Sequence, residues 1–112
     1  MSEVFFIKQG ATGPSLLRQL RDETGAPLRI STSTVSFSMA ERGKAAVISE
    51  RPCVLVDPDQ AVVRLDWEPS DTEKTGRFIC EFRIQYPDGT SEIVPNPDYL
   101  EVRIAPRVGS VS

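Results

Sequence analysis

Strict alternation over residues 77–86 constrains this chain more than any other feature of its sequence. The even positions carry Phe78, Cys80, Phe82, Ile84 and Tyr86, and the odd positions carry Arg77, Ile79, Glu81, Arg83 and Gln85. Successive side chains of a strand point to opposite faces, so this pattern sets an apolar face against a mostly polar one and predicts a half-buried strand. Pro87-Asp88-Gly89-Thr90 follows. An Asp-Gly pair between strands predicts a tight hairpin, because Gly tolerates the positive φ the turn requires. Ser91 to Val94 reads as the returning strand, stopped by Pro95 and Pro97, and Leu100, Val102 and Ile104 alternate with Glu101 and Arg103 until Pro106.

The earlier part of the chain repeats the pattern. Val35, Phe37 and Met39 alternate with Ser36 and Ser38, and Ala61, Val63, Leu65 and Trp67 alternate with Gln60, Arg64 and Asp66, Val62 alone breaking the polar face. Ala45 to Ser49 and Cys53 to Val56 are shorter runs around Glu50-Arg51-Pro52 and read as a hairpin or a bent edge pair. Leu16, Leu17 and Leu20 share a helical face, yet an all-β surround favours a strand there, with Asp22 to Pro27 as a turn into an extended Leu28-Arg29-Ile30. Strands recurring about every ten residues with turn residues between them predict a single all-β domain over residues 1–112, built as an antiparallel β-sandwich. A chain of 112 residues can bury enough apolar surface to do this without metals or disulfides.

Composition removes several function classes. There is no histidine, so the usual general base, the commonest metal ligand and every Ser-His or Cys-His relay are missing. Asp57, Asp59, Asp66, Asp71 and Glu73 form an acidic stretch, but Asp57-Pro58-Asp59 lacks the ligand spacing of an EF-hand and reads as a solvated turn. Asp66 and Glu68 share strand parity, without an acid partner or motif that would make them a glycosidase pair. The expectation is a noncatalytic chain with neither cofactor nor metal site. With 13 basic against 16 acidic residues interleaved along the chain, no positive stripe forms for nucleic acid. No basic amphipathic helix offers itself to a membrane, and no segment reaches the roughly 20 apolar residues of a spanning helix.

Cys53 and Cys80 are expected to be reduced, buried thiols, since the apolar run Val4 to Ile7 has no basic residue before it and is too short for a secretion signal. That run raises the main question about surfaces. With Phe5 and Phe6 adjacent, one ring must leave the domain's own core, be covered by the other sheet, or stand exposed as a binding patch. Tyr99 is out of phase with Leu100, Val102 and Ile104 and is a further candidate for exposure. Phe5, Phe6 and Tyr99 are therefore the candidate interface residues, whereas Trp67 and Tyr86 fall in phase with apolar neighbours and are expected in the core.

The order of several motifs carries a resemblance. Phe6-Ile7-Lys8-Gln9-Gly10-Ala11-Thr12-Gly13-Pro14, the Asp22 to Pro27 turn, Val35 to Met39, Val63 to Trp67, Thr75-Gly76-Arg77-Phe78, Tyr86 to Thr90 and Pro95-Asn96 together resemble the N-terminal domain of phage baseplate upper proteins and small tailed-phage virion proteins. Ala11 stands where that group carries an acidic residue, and Ile30 to Thr34 departs from its usual Leu-Thr-Gly-Ala-Thr segment. The resemblance implies an immunoglobulin-like sandwich made in the bacterial host cytoplasm and built into a virion. It also implies a structural or attachment module of tail, baseplate or neck, held among other virion proteins in a symmetric assembly. A capsid decoration protein and a carbohydrate-binding module are the alternatives. Trp67 between two cysteines is also similar to an immunoglobulin-domain core, but Phe78 stands where those domains carry a Tyr, so the likeness ends at a shared sandwich corner.

Overall fold

The computed structural model describes residues 3–95 and 100–108. Among the described residues nine strands run in chain order: β1 (Glu3–Lys8), β2 (Leu16–Gln19), β3 (Thr34–Ala40), β4 (Ala46–Pro52), β5 (Val54–Asp57), β6 (Val62–Leu65), β7 (Gly76–Gln85), β8 (Ser91–Val94) and β9 (Leu100–Ala105). A larger sheet has the order β1-β9-β7-β3-β4 with β8 also on β7, and a smaller one has the order β2-β6-β5. The fold is an all-β sandwich.

The alternation along β7 organises the larger sheet. Phe78, Cys80, Phe82 and Ile84 are all buried, and β3 pairs antiparallel to β7 with Phe37 opposite Phe82 and Met39 opposite Cys80. The two phenylalanine rings meet edge to face at 5.2 Å between centroids. From the smaller sheet's side, Trp67 closes the core: its ring is stacked on Phe5 at 5.9 Å and edge-on to Phe37 at 6.1 Å. These contacts bind the two layers through one apolar cluster that runs from Ile7 to Ile104.

Several local expectations hold. The hairpin from β7 to β8 has Gln85 opposite Ser91, and its turn is closed by Asp88 Oδ1, which accepts from Thr90 N at 2.9 Å and Thr90 Oγ1 at 2.6 Å. The Leu-rich segment is a strand, β2, with Leu16 opposite Leu65 of β6. Cys53 and Cys80 are both free thiols, although Cys53 is only half-buried.

Other expectations are corrected. The early hairpin does not close: beyond the turn held by Asp22, only an isolated bridge joins Arg21 to Pro27, and Leu28 to Ile30 lie outside any strand. β4 and β5 do not pair with each other; β4 lies on β3 and β5 on β6, so the chain crosses from one sheet to the other between Pro52 and Val54. Ala61 precedes β6 with a left-handed φ of 56° instead of lying within the strand. The sandwich is also not wholly antiparallel, because β1 runs parallel to β9 with Phe5 opposite Val102 and Phe6 opposite Arg103.

Candidate interaction site

β1 is the outermost strand of the larger sheet, hydrogen-bonded to β9 alone among the described strands. Its side chains divide as its alternation requires. Phe5 is half-buried and Ile7 buried against the core, while Val4, Phe6 and Lys8 face outward. Phe6 keeps 65% of its surface exposed and Val4 37%. The adjacent rings are thus sorted: the opposite sheet covers Phe5 through Trp67, and Phe6 is the ring left over. Tyr99 lies outside the described residues.

The backbone divides in the same way. Gln9 N donates to Ala105 O at 2.8 Å, so the main-chain groups of Gln9, and by alternation those of Ile7 and Phe5, point toward β9. Those of Val4, Phe6 and Lys8 then point away from the sheet. The Lys8 carbonyl is occupied, accepting from Ala11 N at 3.0 Å where the chain turns off the strand. Among the described residues, Val4 and Phe6 are left as an open stretch of edge, and unpaired N–H and C=O groups in that position are a template for another strand.

The surroundings favour an apolar guest with few charges. The Arg103 guanidinium sits 5.8 Å from the centre of the Phe6 ring, a cation–π contact, and Arg103 Nε also donates to Glu101 Oε2. Past Phe6, a shallow apolar hollow of about 280 Å³ lies between the end of β1, Pro14 and Ala105. A second hollow of about 520 Å³, on the outer face of the same sheet, is polar and lined by Ser38, Glu50, Glu81, Arg83, Ser91 and Ile93. Arg83 Nη1 donates there to Glu50 Oε1 at 2.6 Å, so those two charges offset each other and Glu81 leaves the hollow with an acidic excess.

The acidic stretch does not converge on a site. Asp71 is buried and bound by Arg51, whereas Asp66 accepts from Arg64 Nε at 2.9 Å and from Ser15 Oγ at 3.0 Å. Those donors, Arg64 first, hold the Asp66 carboxyl below the usual carboxylate range. Asp57 Oδ1 accepts from Gln60 N at 3.2 Å in a turn. Asp57, Asp66 and Asp71 are each engaged locally, and among the described residues no group of three or more His, Cys, Asp or Glu is placed to hold a metal ion. Nor are the thiols poised as nucleophiles. Burial, then the charge of Asp66, pushes the Cys53 thiol up to about 12, and burial pushes Cys80 up as well, so both stay protonated and inert near neutral pH.

Sequence reasoning marked Phe5 and Phe6 together without choosing between them, and missed what makes the Phe6 position usable. The parallel pairing with β9 decides which backbone groups face outward, and no local pattern in residues 3–8 encodes that. Arg103 above the ring is equally a product of the β1–β9 register.

No family model matches this chain, and no curated protein matches it. Among solved structures it is similar to CopC from Methylosinus trichosporium OB3b, with a TM-score of 0.54 and 15% identity over 98% of this chain and 91% of that one. CopC is a periplasmic copper-resistance protein. This likeness overturns the expectation of a virion module of tail, baseplate or neck, and with it the virion localisation. Neither decoration of a capsid nor carbohydrate binding gains from it.

Proposed function

We propose that this chain is a noncatalytic docking domain that joins another polypeptide by accepting an extended strand along β1. One observation carries the reading: Phe6, 65% exposed, stands on an edge whose outward main-chain groups at Val4 and Phe6 have no strand beside them among the described residues. Main-chain pairing supplies affinity and register in this mode of recognition, and the alternate side chains supply selectivity. An apolar guest residue beside Phe6 removes an exposed ring from water, at about 25 cal/mol per Å² buried. The interleaved charges of the remaining surface make a protein, and neither nucleic acid nor a membrane, the partner of this edge.

Copper binding does not carry over from the structural neighbour. Copper sites draw on imidazole, thiolate or thioether donors, and this chain has no histidine. Cys80 and Met39 are consumed in the core, and among the described residues no three His, Cys, Asp or Glu side chains are grouped to hold a metal ion. The donor set does not fit the metal.

Amide hydrogen exchange tests the docking reading. Adding a soluble peptide of alternating Val and Thr should slow exchange at the Val4 and Phe6 amides and leave Phe5 and Ile7 unchanged, because their N–H groups already face β9. Unaltered exchange at Val4 and Phe6 under saturating peptide refutes edge docking.

A further inference from the structure

We infer that the strand that fits this edge is β1 of a second copy of the chain, paired antiparallel about a two-fold axis through Phe5. The inference rests on the docking reading above and names its partner. Two identical strands that extend one sheet antiparallel must be related by a two-fold axis perpendicular to that sheet, and such an axis keeps outward residues outward. Residues of equal parity therefore face each other, and they must also carry the free main-chain groups.

Val4 and Phe6 meet both conditions. In the register that sets Phe5 opposite Phe5 of the second copy, Val4 exchanges its outward N–H and C=O bonds with Phe6 of the second copy, and Phe6 does the same with Val4 of the second copy. The open groups of this stretch are used and none is left over. Sliding the register so that Phe6 faces Phe6 calls on Lys8, whose carbonyl already accepts from Ala11 where the chain folds off the strand. Among the described residues, the register about Phe5 is the one that pairs Val4 and Phe6 with each other.

The side chains agree with it. On the outer face the exposed Phe6 lies directly beside Val4 of the second copy, apolar against apolar, with no like charges opposed. Because Phe6 pairs with Arg103 and Val4 with Glu101 across β9, each row of the joined sheet begins at Arg103 of one copy and ends at Glu101 of the other, so the ends of the row are complementary in charge. The edge also lacks the devices that block such pairing, since residues 4–7 contain no proline, no bulge and no charged side chain. Pairing of one short strand buries less than the roughly 1,200 Å² of a stable interface, so the dimer is weak and appears only at high concentration.

Sedimentation velocity on the purified full chain tests this, from about 10 µM to about 1 mM, a range that brackets a weak Kd. The chain should shift from monomer to dimer, with exchange at the Val4 and Phe6 amides slowing in parallel. Two variants locate the contact. Val4→Pro removes an outward N–H at a position where an edge strand tolerates proline, and Phe6→Lys alters only an exposed side chain; each should weaken association at least tenfold, and Phe6→Lys alone decides if Val4→Pro does not fold. A wild-type chain that stays monomeric throughout overturns self-pairing, as does a dimer that Phe6→Lys leaves unchanged. A monomer whose Val4 and Phe6 amides are still protected by the Val-Thr peptide sinks the second copy as partner and leaves the docking edge standing. A monomer without that protection sinks both.

Discussion

Arg51 of β4 reaches from the larger sheet to Asp71, in the 3-10 turn Pro69–Thr72 that follows strand β6 of the smaller sheet, and grips it with both guanidinium ends. Arg51 Nη2 donates to Asp71 Oδ1 at 2.9 Å, and Nη1 donates to Oδ2. Asp71 is 4% exposed, and its Oδ2 also accepts from Glu68 N at 2.7 Å, so one carboxylate both caps the turn and ties it to the other sheet. Bidentate pairing suits the planar guanidinium. The contact with Asp71 raises the Arg51 pKa above its ordinary value, so the guanidinium stays charged at any pH at which the fold survives.

Removing Arg51 strands a buried carboxylate, and that cost exceeds the worth of the pair itself. Arg51→Ala should destabilise by about 3 kcal/mol in urea unfolding. The double variant Arg51→Ala with Asp71→Ala should lose clearly less than the sum of the single losses. Strict additivity in that cycle would show that the two residues act independently.

The strand phase of β7 is tested by two neighbours. Phe82 is fully buried against Phe37, so Phe82→Ala should cost about 3 to 5 kcal/mol. Arg83 points outward to Glu50 across an exposed pair, so Arg83→Ala should cost less than about 1 kcal/mol. Equal losses would place the strand in the wrong phase.

A backbone effect is expected at Glu50. β4 bulges there: the register passes from Phe37 opposite Arg51 to Met39 opposite Ile48, which sets Ser49 and Glu50 against Ser38. Glu50 takes φ of 49°, a left-handed conformation that costs an L residue about 1 kcal/mol or more and a glycine little. Glu50→Gly should therefore be more stable than Glu50→Ala by about 0.5 to 1 kcal/mol, both variants having lost the Arg83 pair. A Gly variant less stable than the Ala variant would remove the strain argument.

How much of this was legible in the sequence depended on whether a feature was local. The faces of β7, β9 and β3 follow from alternation, and the β7–β8 turn from Asp88-Gly89, because a strand's two faces and a tight turn are set by neighbours in sequence. Pairing partners are not local. Residues 45–56 give the same apolar runs whether they fold on each other or on two different sheets, and only tertiary packing sends β4 to β3 and β5 to β6. Likewise, Phe5-Phe6 announces that the rings must separate, but which backbone groups of β1 stay open follows from a parallel β9 nearly a hundred residues away. Asp71 looked like one more acid in a polar stretch. Its burial depends on Arg51, which sits beyond the reach of any local pattern; the local signal that went unused is the capping-box spacing of Glu68 and Asp71.

The thiols give the last prediction. Cys53 titrates near 12 in the folded chain, chiefly through burial and then through the charge of Asp66, against an ordinary value of 9.0. A raised folded pKa means that the unfolded chain releases the proton first. The stabilising contribution is whole below about pH 9 and falls as pH rises toward 12, because over that window the unfolded state binds fewer protons than the folded one. Cys53→Ser carries no such group, so the stability of wild type relative to Cys53→Ser should decline across this window and stay level from pH 6 to about pH 8.5. Urea midpoints at closely spaced pH values measure it. The same protonated thiols should react slowly with a disulfide reagent at pH 8, where a thiol titrating near 12 is only about 10⁻⁴ ionised, and dithiothreitol should leave the melting temperature unchanged because Cys53 and Cys80 are both free. A relative stability that stays constant through pH 11, or rapid labelling of the native chain at Cys53, would show that the thiol is solvated and the burial argument mistaken.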